Sequence, residues 1–161
     1  MEIRAAVPGD MPEILRVYAR ARRYMEETGN PNQWKKTNPP AATLEDDIAR
    51  GQLFVGMGED GGIRLCFALV PGIDPTYIEI NGAWRNDEPY AAIHRVASDG
   101  KQKGVFGHCV AFARERYANL RVDTHRDNKI MQHLAEKHGF VRCGIIHIAD
   151  GSERIAYHLV V

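Results

Sequence analysis

From Ser98 to Val110 the chain reads SDGKQKGVFGHCV, with glycines at 100, 104 and 107 and lysines at 101 and 103, between an apolar run and a helix-like segment. Two chemistries fit this stretch. Glycines between a strand and a helix supply the positive φ that a sharp turn needs, and flanking lysines then form a solvated face. The same residues can instead hold phosphate. A helix starting near Val105 leaves its first N–H groups without carbonyl partners, and its dipole favours negative charge there. Gly104 and Gly107 would let a phosphate approach the backbone, with Lys101 and Lys103 adding charge beside it. Neither the GxxxxGK[ST] order of a nucleoside-triphosphate cradle nor the GxGxxG of a dinucleotide site is present.

Further along, several side chains are chemically capable. In the strand-like run Thr76 to Asn81, Tyr77 and Glu79 share one face and Ile78 and Ile80 the other. Glu79 is either a solvent-facing carboxylate or a functional one. His94, in the run Ala91 to Ala97, can titrate near neutrality, although a lone histidine in an apolar strand is often a hydrogen-bonded core residue. Asp123 and His125 share a strand face and could bind a cationic acceptor. A metal is not expected, because no third ligand stands at helical or strand spacing from them, and His133 and His138 are wrongly spaced for one helix face. Trp34, Trp84 and Tyr90 lie in loop-like stretches, as lids over a core or as walls of a pocket. Cys109 fits an apolar helix face with Val105, Phe112 and Ala113, which marks it as core.

The elements that must position these groups follow from periodicity. Glu2 to Val7 reads as a strand, and Asp10 as the cap of a helix with Pro12 in its first turn. Met11, Ile14, Leu15, Tyr18, Ala21 and Met25 recur at helical spacing until Thr28-Gly29-Asn30-Pro31. Pro31 to Pro40 is irregular, and a short helix then ends at Gly51. Leu53 to Met57 and Ile63 to Val70 form a hairpin across GEDGG, followed by the runs Thr76 to Asn81 and Ala91 to Ala97. A helix from Val105 to Tyr117, a strand Leu120 to Thr124, a helix Asn128 to His138 and a hairpin Val141 to Ala149 with Glu153 to Val160 complete the order. This is a mixed α/β (α+β) arrangement, a sheet with helices packed on its faces, in one expected domain, 1–161.

Composition narrows the partners. The 161 residues are 44% hydrophobic and 26% charged, with 21 basic and 21 acidic side chains, so no global field draws the chain to nucleic acid or an anionic membrane. Gly104 and Gly107 also have the GxxG spacing of an RNA clamp, against which the neutral charge and strand order both argue. No apolar run approaches a bilayer span. Cys66, Cys109 and Cys143 sit among apolar neighbours, as reduced thiols do in a cytoplasmic protein. Cytoplasm is the expectation, and pairing into a homodimer is compatible with the sequence.

Read together, the motifs resemble the GNAT superfamily of N-acetyltransferases. Lys101-Gln102-Lys103-Gly104-Val105-Phe106 occupies the place of its [QR]-x-x-G-x-[GA] segment between strand and helix. NKIMQHLAEKHGF, from Asn128 to Phe140, occupies that of its later Asn and Gly-Phe helix. The stretches TYIEINGAWRNDEPYAAIHRVAS, RVDTHRDNKIMQHLAEKHGFVRCGII and ADGSERIAYH are similar to an uncharacterised bacterial subgroup, and the resemblance runs from Glu2 to Val161. It implies the acyl-CoA N-acyltransferase fold, a central, mostly antiparallel sheet, and acetyl-CoA as co-substrate. The implied reaction is direct attack by a primary amine, small-molecule rather than peptide, within one ternary complex; the alternative is a non-catalytic acyl-CoA sensor.

The resemblance also implies roles. Val96 and Ala97 fall where free backbone N–H groups bind the pantetheine and thioester, and Lys101 to Gly107 where the pyrophosphate lies. Asn128 would contact the pantetheine arm, though it also suits a helix cap, and Met131 would line the wall. Glu79, then His94, are the candidate bases, and Trp34 the favoured acceptor wall, with Tyr77, Trp84, Asp123 and His125 as further acceptor residues. Three departures stand out: Lys101 in place of Gln or Arg, Phe106 in place of a small residue, and Ala135 where the family often has a Tyr acid. A one-residue shift to Gly107 could offset the second.

Overall fold

Apolar runs on either side of the Gly58–Gly62 turn make the hairpin β2 (Leu53–Met57) and β3 (Ile63–Pro71), around which the rest assembles. The computed structural model describes residues 1–161. In chain order the remaining elements are β1 (Glu2–Ala5), α1 (Met11–Glu27), α2 (Ala41–Ala49), β4 (Asn81–Gly82), β5 (Ala91–Ser98), α3 (Val105–Arg114), β6 (Asn119–Thr124), α4 (Lys129–Lys137), β7 (Val141–His147) and β8 (Glu153–Val160). All eight strands join one sheet in the order β1-β2-β3-β5-β6-β8-β7-β4. Every pair is antiparallel except β5–β6.

The strand alternation builds two apolar layers. Ile14, Val17, Tyr18 and Leu44 from α1 and α2 cover Val55, Cys66 and Ala68 on one face. Phe106, Cys109, Val110 and Ala135 from α3 and α4 cover Phe67, Ile93, Val122 and Tyr157 on the other. No helix is long and apolar enough to cross a membrane.

Two expectations are corrected here. Thr76 to Asn81 is not a strand. Asp74 accepts bonds from the Thr76 N–H (2.9 Å) and hydroxyl (2.7 Å), and Pro75 lacks a ladder donor, so Pro75–Tyr77 closes into a 3₁₀ turn. Only Asn81–Gly82 pairs, with β7. Asp10 precedes α1 but makes no side-chain cap, because Arg4 binds its carboxylate at 2.8 and 2.9 Å.

The feature that shapes the site is in β5. Its parallel ladder with β6 covers only Ala91–Leu120 and Ala92–Arg121, after which the strands part. On the β3 side His94 faces Ala68 and Ala97 faces Cys66, so Arg95 and Val96 together oppose Phe67 in a bulge. Arg95 there has φ 54°, a left-handed conformation unusual for a side-chain-bearing residue. Tertiary contacts hold it. The Tyr18 hydroxyl of α1 donates to the Arg95 carbonyl at 2.7 Å, and the Arg95 guanidinium donates twice to Asp47 of α2 at 2.8 and 2.9 Å.

Candidate active site

The parting of β5 and β6 opens a cleft of about 520 Å³ that passes through the sheet. Ile93, Val122, Met131 and Phe106 line it from the α3/α4 face, and Asp74, His94 and Asp123 from the α1/α2 face. Trp34, its ring tilted against that of Tyr18 with centroids 5.7 Å apart, forms part of the wall.

His94 is the centre of the polar side. Its Nε2 stands 2.8 Å from Asp74 Oδ2, and its Nδ1 3.9 Å from Asp123 Oδ2. Burial pushes the Asp74 carboxyl up, but bonds from His94 and Thr76 outweigh it and hold the group at about 2. Asp74 is therefore an acceptor, so Nε2 donates to it and the lone pair of the neutral ring is on Nδ1. Asp123 Oδ2 accepts a 2.6 Å bond from the Tyr77 hydroxyl. Burial, then the charge and bond of Asp123, raises the Tyr77 phenol well above its usual range. The ring holds a proton toward Asp74 and can take one at Nδ1, beside a second carboxylate suited to a cation.

The glycine loop runs from β5 to α3, beside cleft residues Val96 and Phe106, while Lys101 and Gln102 border a separate surface depression. Asp99 Oδ1 accepts from the Lys101 N–H at 3.0 Å and Ser98 Oγ from the Gly100 N–H at 3.0 Å, shaping a turn that leaves Lys101 and Lys103 exposed and Gln102 half-buried. Gly104 caps α3 with φ 74° and no side-chain bond, so the first turn of α3 has no side-chain acceptor. A Cβ at Gly104 would meet nothing within 4 Å, so an anion has an open approach to these donors. The loop thus leaves helix-start donors and two exposed lysines open to an anion.

The other candidates divide between the cleft and its surroundings. Gly107 is the third residue of α3, where a Cβ would come 3.1 Å from His138 Cε1, so its small size serves helix packing. Phe106 is buried, 5.7 Å from the His138 ring, so its bulk points into the core and the cleft. Val105 is half-buried at the helix start. Val96 lines the cleft and Ala97 faces α1. Asn128 caps α4, accepting from the Met131 N–H at 3.0 Å and donating to Gln33 Oε1 at 3.0 Å.

Glu79 is exposed in the turn region and is not among the cleft residues, because the strand expected to aim it does not form. Trp84 is no cleft wall: its Nε1 donates to the Tyr77 carbonyl at 2.8 Å and its ring covers Arg121 at 4.0 Å. Tyr77 is buried and acts on the site through Asp123. β6 ends at Thr124, so His125 leaves the strand face of Asp123; its Nδ1 accepts from the Asp127 N–H at 3.0 Å and it borders a separate depression.

Sequence reading missed Asp74, Arg95, Gln33 and Arg154. The triplet Asp74-Pro75-Thr76 carries a turn signal that could have revealed Asp74. Gln33 Oε1 gathers bonds from Asn30, Thr124 and Asn128 at 2.9, 3.3 and 3.0 Å, which no local pattern announces.

The mixed sheet thus opens between its two parallel strands, β5 and β6, and holds a histidine between two carboxylates in the gap. Neither a protein-family model nor a curated protein matches the chain. Among solved structures it is similar to an acetyltransferase of the GNAT family from Streptococcus agalactiae, at 30% identity and TM-score 0.90 over 99% of this chain and 95% of that one. A putative acetyltransferase from Staphylococcus aureus shares the fold at 23% identity and TM-score 0.72, covering 99% of each chain. So does a phosphinothricin acetyltransferase from Sinorhizobium meliloti in complex with AcCoA, at 12% identity and TM-score 0.67, over 99% of this chain and 88% of that one. The chain belongs to the GNAT family of acetyltransferases.

Proposed function

We propose that this protein is an N-acetyltransferase that moves the acetyl group of acetyl-CoA onto a primary amine of a small molecule, with His94 as general base. The observation that carries this reading is the 2.8 Å bond from His94 to Asp74 inside the cleft, which leaves Nδ1 available. An amine arrives as an ammonium ion and must lose a proton before it can attack. Asp123 attracts the cation, and His94 Nδ1 accepts the proton. Asp74 fixes the ring's tautomer and stabilises the imidazolium that forms, as the carboxylate does in other His–Asp pairs.

The residues that would hold acetyl-CoA are Gly104 and Val105 at the start of α3, Lys101 and Lys103 beside them, and Val96 and Ala97 on the edge of β5 that has no strand partner beyond Ala92. Met131 and Phe106 would wall the arm. When bound, acetyl-CoA supplies an activated acetyl group whose thiol, with acidity near the cysteine value of about 8.5, departs without an obligatory proton donor. That bears on Ala135, which is fully buried and offers no acid from α4.

The same absence of a side-chain acid at Ala135 favours a second reading, a domain that binds acyl-CoA without turning it over. Incubation with acetyl-CoA and a broad amine panel, with released thiol measured, separates the two. Amine-dependent thiol release is the expected result. Saturable coenzyme A binding with no release above background across the panel would overturn catalysis in favour of the sensor.

A further inference from the structure

Arg154, the second residue of β8, is only 5% exposed, yet no carboxylate lies within 4 Å of it. Its Nη1 donates to Ser152 Oγ at 3.1 Å and the Glu153 carbonyl at 3.0 Å, and its Nη2 reaches the Gln33 carbonyl at 3.5 Å, all neutral acceptors. The other guanidiniums in the sheet interior are provided for: Arg95 holds Asp47, and Arg121 lies between the Trp84 and Tyr90 rings at 4.0 and 3.9 Å. A buried cation without an anion is costly, and a guanidinium fork matches a carboxylate in two parallel bonds.

The position of Arg154 gives its guanidinium a use. Asp123 pairs with Ala156, two residues along β8 from Arg154, so Arg154 and Asp123 share the sheet face that also carries His94. Arg154 lines the same cleft as both. Asp150, on the adjoining wall, is engaged by the Ser152 N–H and hydroxyl at 2.9 and 2.6 Å and makes no ion pair with Arg154. One face of the cleft thus presents carboxylates and a base for an ammonium group, and an unpaired guanidinium for an anion.

We infer that Arg154 receives a carboxylate carried by the acceptor, so that the acceptor is an amino acid or a short amino-acid derivative with its acid group free. This rests on the proposed acetyltransferase reading of the cleft. A simple alkylamine, or a protein amine with no acid nearby, would leave Arg154 with neutral hydrogen-bond partners only. An acid on the acyl chain of the thioester would present the same chemistry from the other side, so the test must separate the two sources.

The experiment compares amino acids with their amides and decarboxylated amines, by calorimetric binding to the coenzyme A-loaded protein and by thiol release with acetyl-CoA. At least one amino acid should bind and react, with its amide weaker by roughly tenfold or more in both readouts. Arg154→Gln should erase that difference, and Arg154→Lys should restore part of it. Equal use of an amino acid and its amide by the wild-type protein would overturn the inference while leaving acetyl transfer intact. An Arg154-dependent preference for succinyl-CoA over acetyl-CoA with a plain amine would overturn it in favour of an acyl-chain acid. Failure of every amine together with no coenzyme A binding would remove the acetyltransferase reading itself. Circular dichroism checks that the variants fold, and the wild-type comparison decides if they do not.

Discussion

The Arg95 guanidinium, projecting from a bulge in β5, meets the Asp47 carboxylate of α2 through two bonds of 2.8 and 2.9 Å, while the carbonyl of the same Arg95 accepts the Tyr18 hydroxyl at 2.7 Å. The residue whose backbone is left-handed is thus gripped from both helices on that face. Two points on one residue suffice to hold the bulge, and the bulge decides which way His94, Val96 and Ala97 point.

Removing one partner of this pair strands a buried charge. Asp47→Ala should destabilise the protein by about 3 kcal/mol or more and weaken coenzyme A binding as the bulge relaxes. Arg95→Gly and Arg95→Ala both lose the pair, but glycine tolerates φ 54°; the glycine variant should be the more stable by about 1 kcal/mol. Urea denaturation checks the order, and equal midpoints for the two would show that the bulge carries no strain.

The His94–Asp74 pair makes a prediction about rate. His94→Gln should slow acetyl transfer by roughly 10²- to 10⁴-fold with coenzyme A affinity kept. Asp74→Asn should depress the rate less and change its pH profile, because the fixed acceptor on Nε2 is lost. Glu79→Gln, outside the cleft, should leave the profile alone. With its pKa depressed to about 2, Asp74 contributes stability above its unfolded value of about 3.8, and that contribution disappears as pH falls through about 2. Steady-state rates from pH 5 to 9 test the assignment; a Glu79-dependent profile would reverse it.

His158 predicts an acid-sensitive fold. It is fully buried, accepts from the Arg85 N–H at 3.1 Å, and stands 2.9 Å from Asn119 Oδ1. Burial, then the charges of Arg121 and Arg85, lowers it to about 4. The unfolded chain, titrating near 6.5, therefore binds the extra proton between the two values, and stability falls as pH drops through that window and levels off below it, by about 3 kcal/mol in all. Urea midpoints for His158→Gln should be lower than wild type at pH 7 but flatter between pH 7 and 4. A wild-type midpoint independent of pH in that range would contradict the assignment.

Gly104 tests the anion site. The Cβ of Gly104→Val meets no neighbour, so the main folded-state cost is the left-handed φ, on the order of 1–2 kcal/mol. Coenzyme A affinity should fall by tenfold or more, because a branched side chain then stands at the helix start. Calorimetry on a variant of known melting temperature checks this, and unchanged affinity would remove the loop from the cofactor site.

The sequence by itself determined the local elements and the family resemblance. Hydrophobic period and turn residues placed β2, β3, β5, β8 and α4 to within a residue or two, because each is specified by its own neighbours. The glycine loop was legible for the same reason, since Gly104, the lysines and the start of α3 are contiguous. Where local signals competed, reading failed: the apolar alternation of Tyr77 to Ile80 suggested a strand, but Asp74 and Pro75 closed a turn and carried Glu79 away from the cleft.

Only the tertiary structure decided the site. His94, Asp74, Asp123 and Arg154 come from four separate segments, and a period-two pattern says which residues alternate but not which strand lies opposite. The bulge at Arg95 also shifts that alternation by one residue, through bonds from Tyr18 and Asp47 far away in the chain. Long-range pairing, unlike local propensity, is settled by the packed whole, and that is why His94 moved ahead of Glu79, and Asp74 and Arg154 joined it, only once the sheet was assembled.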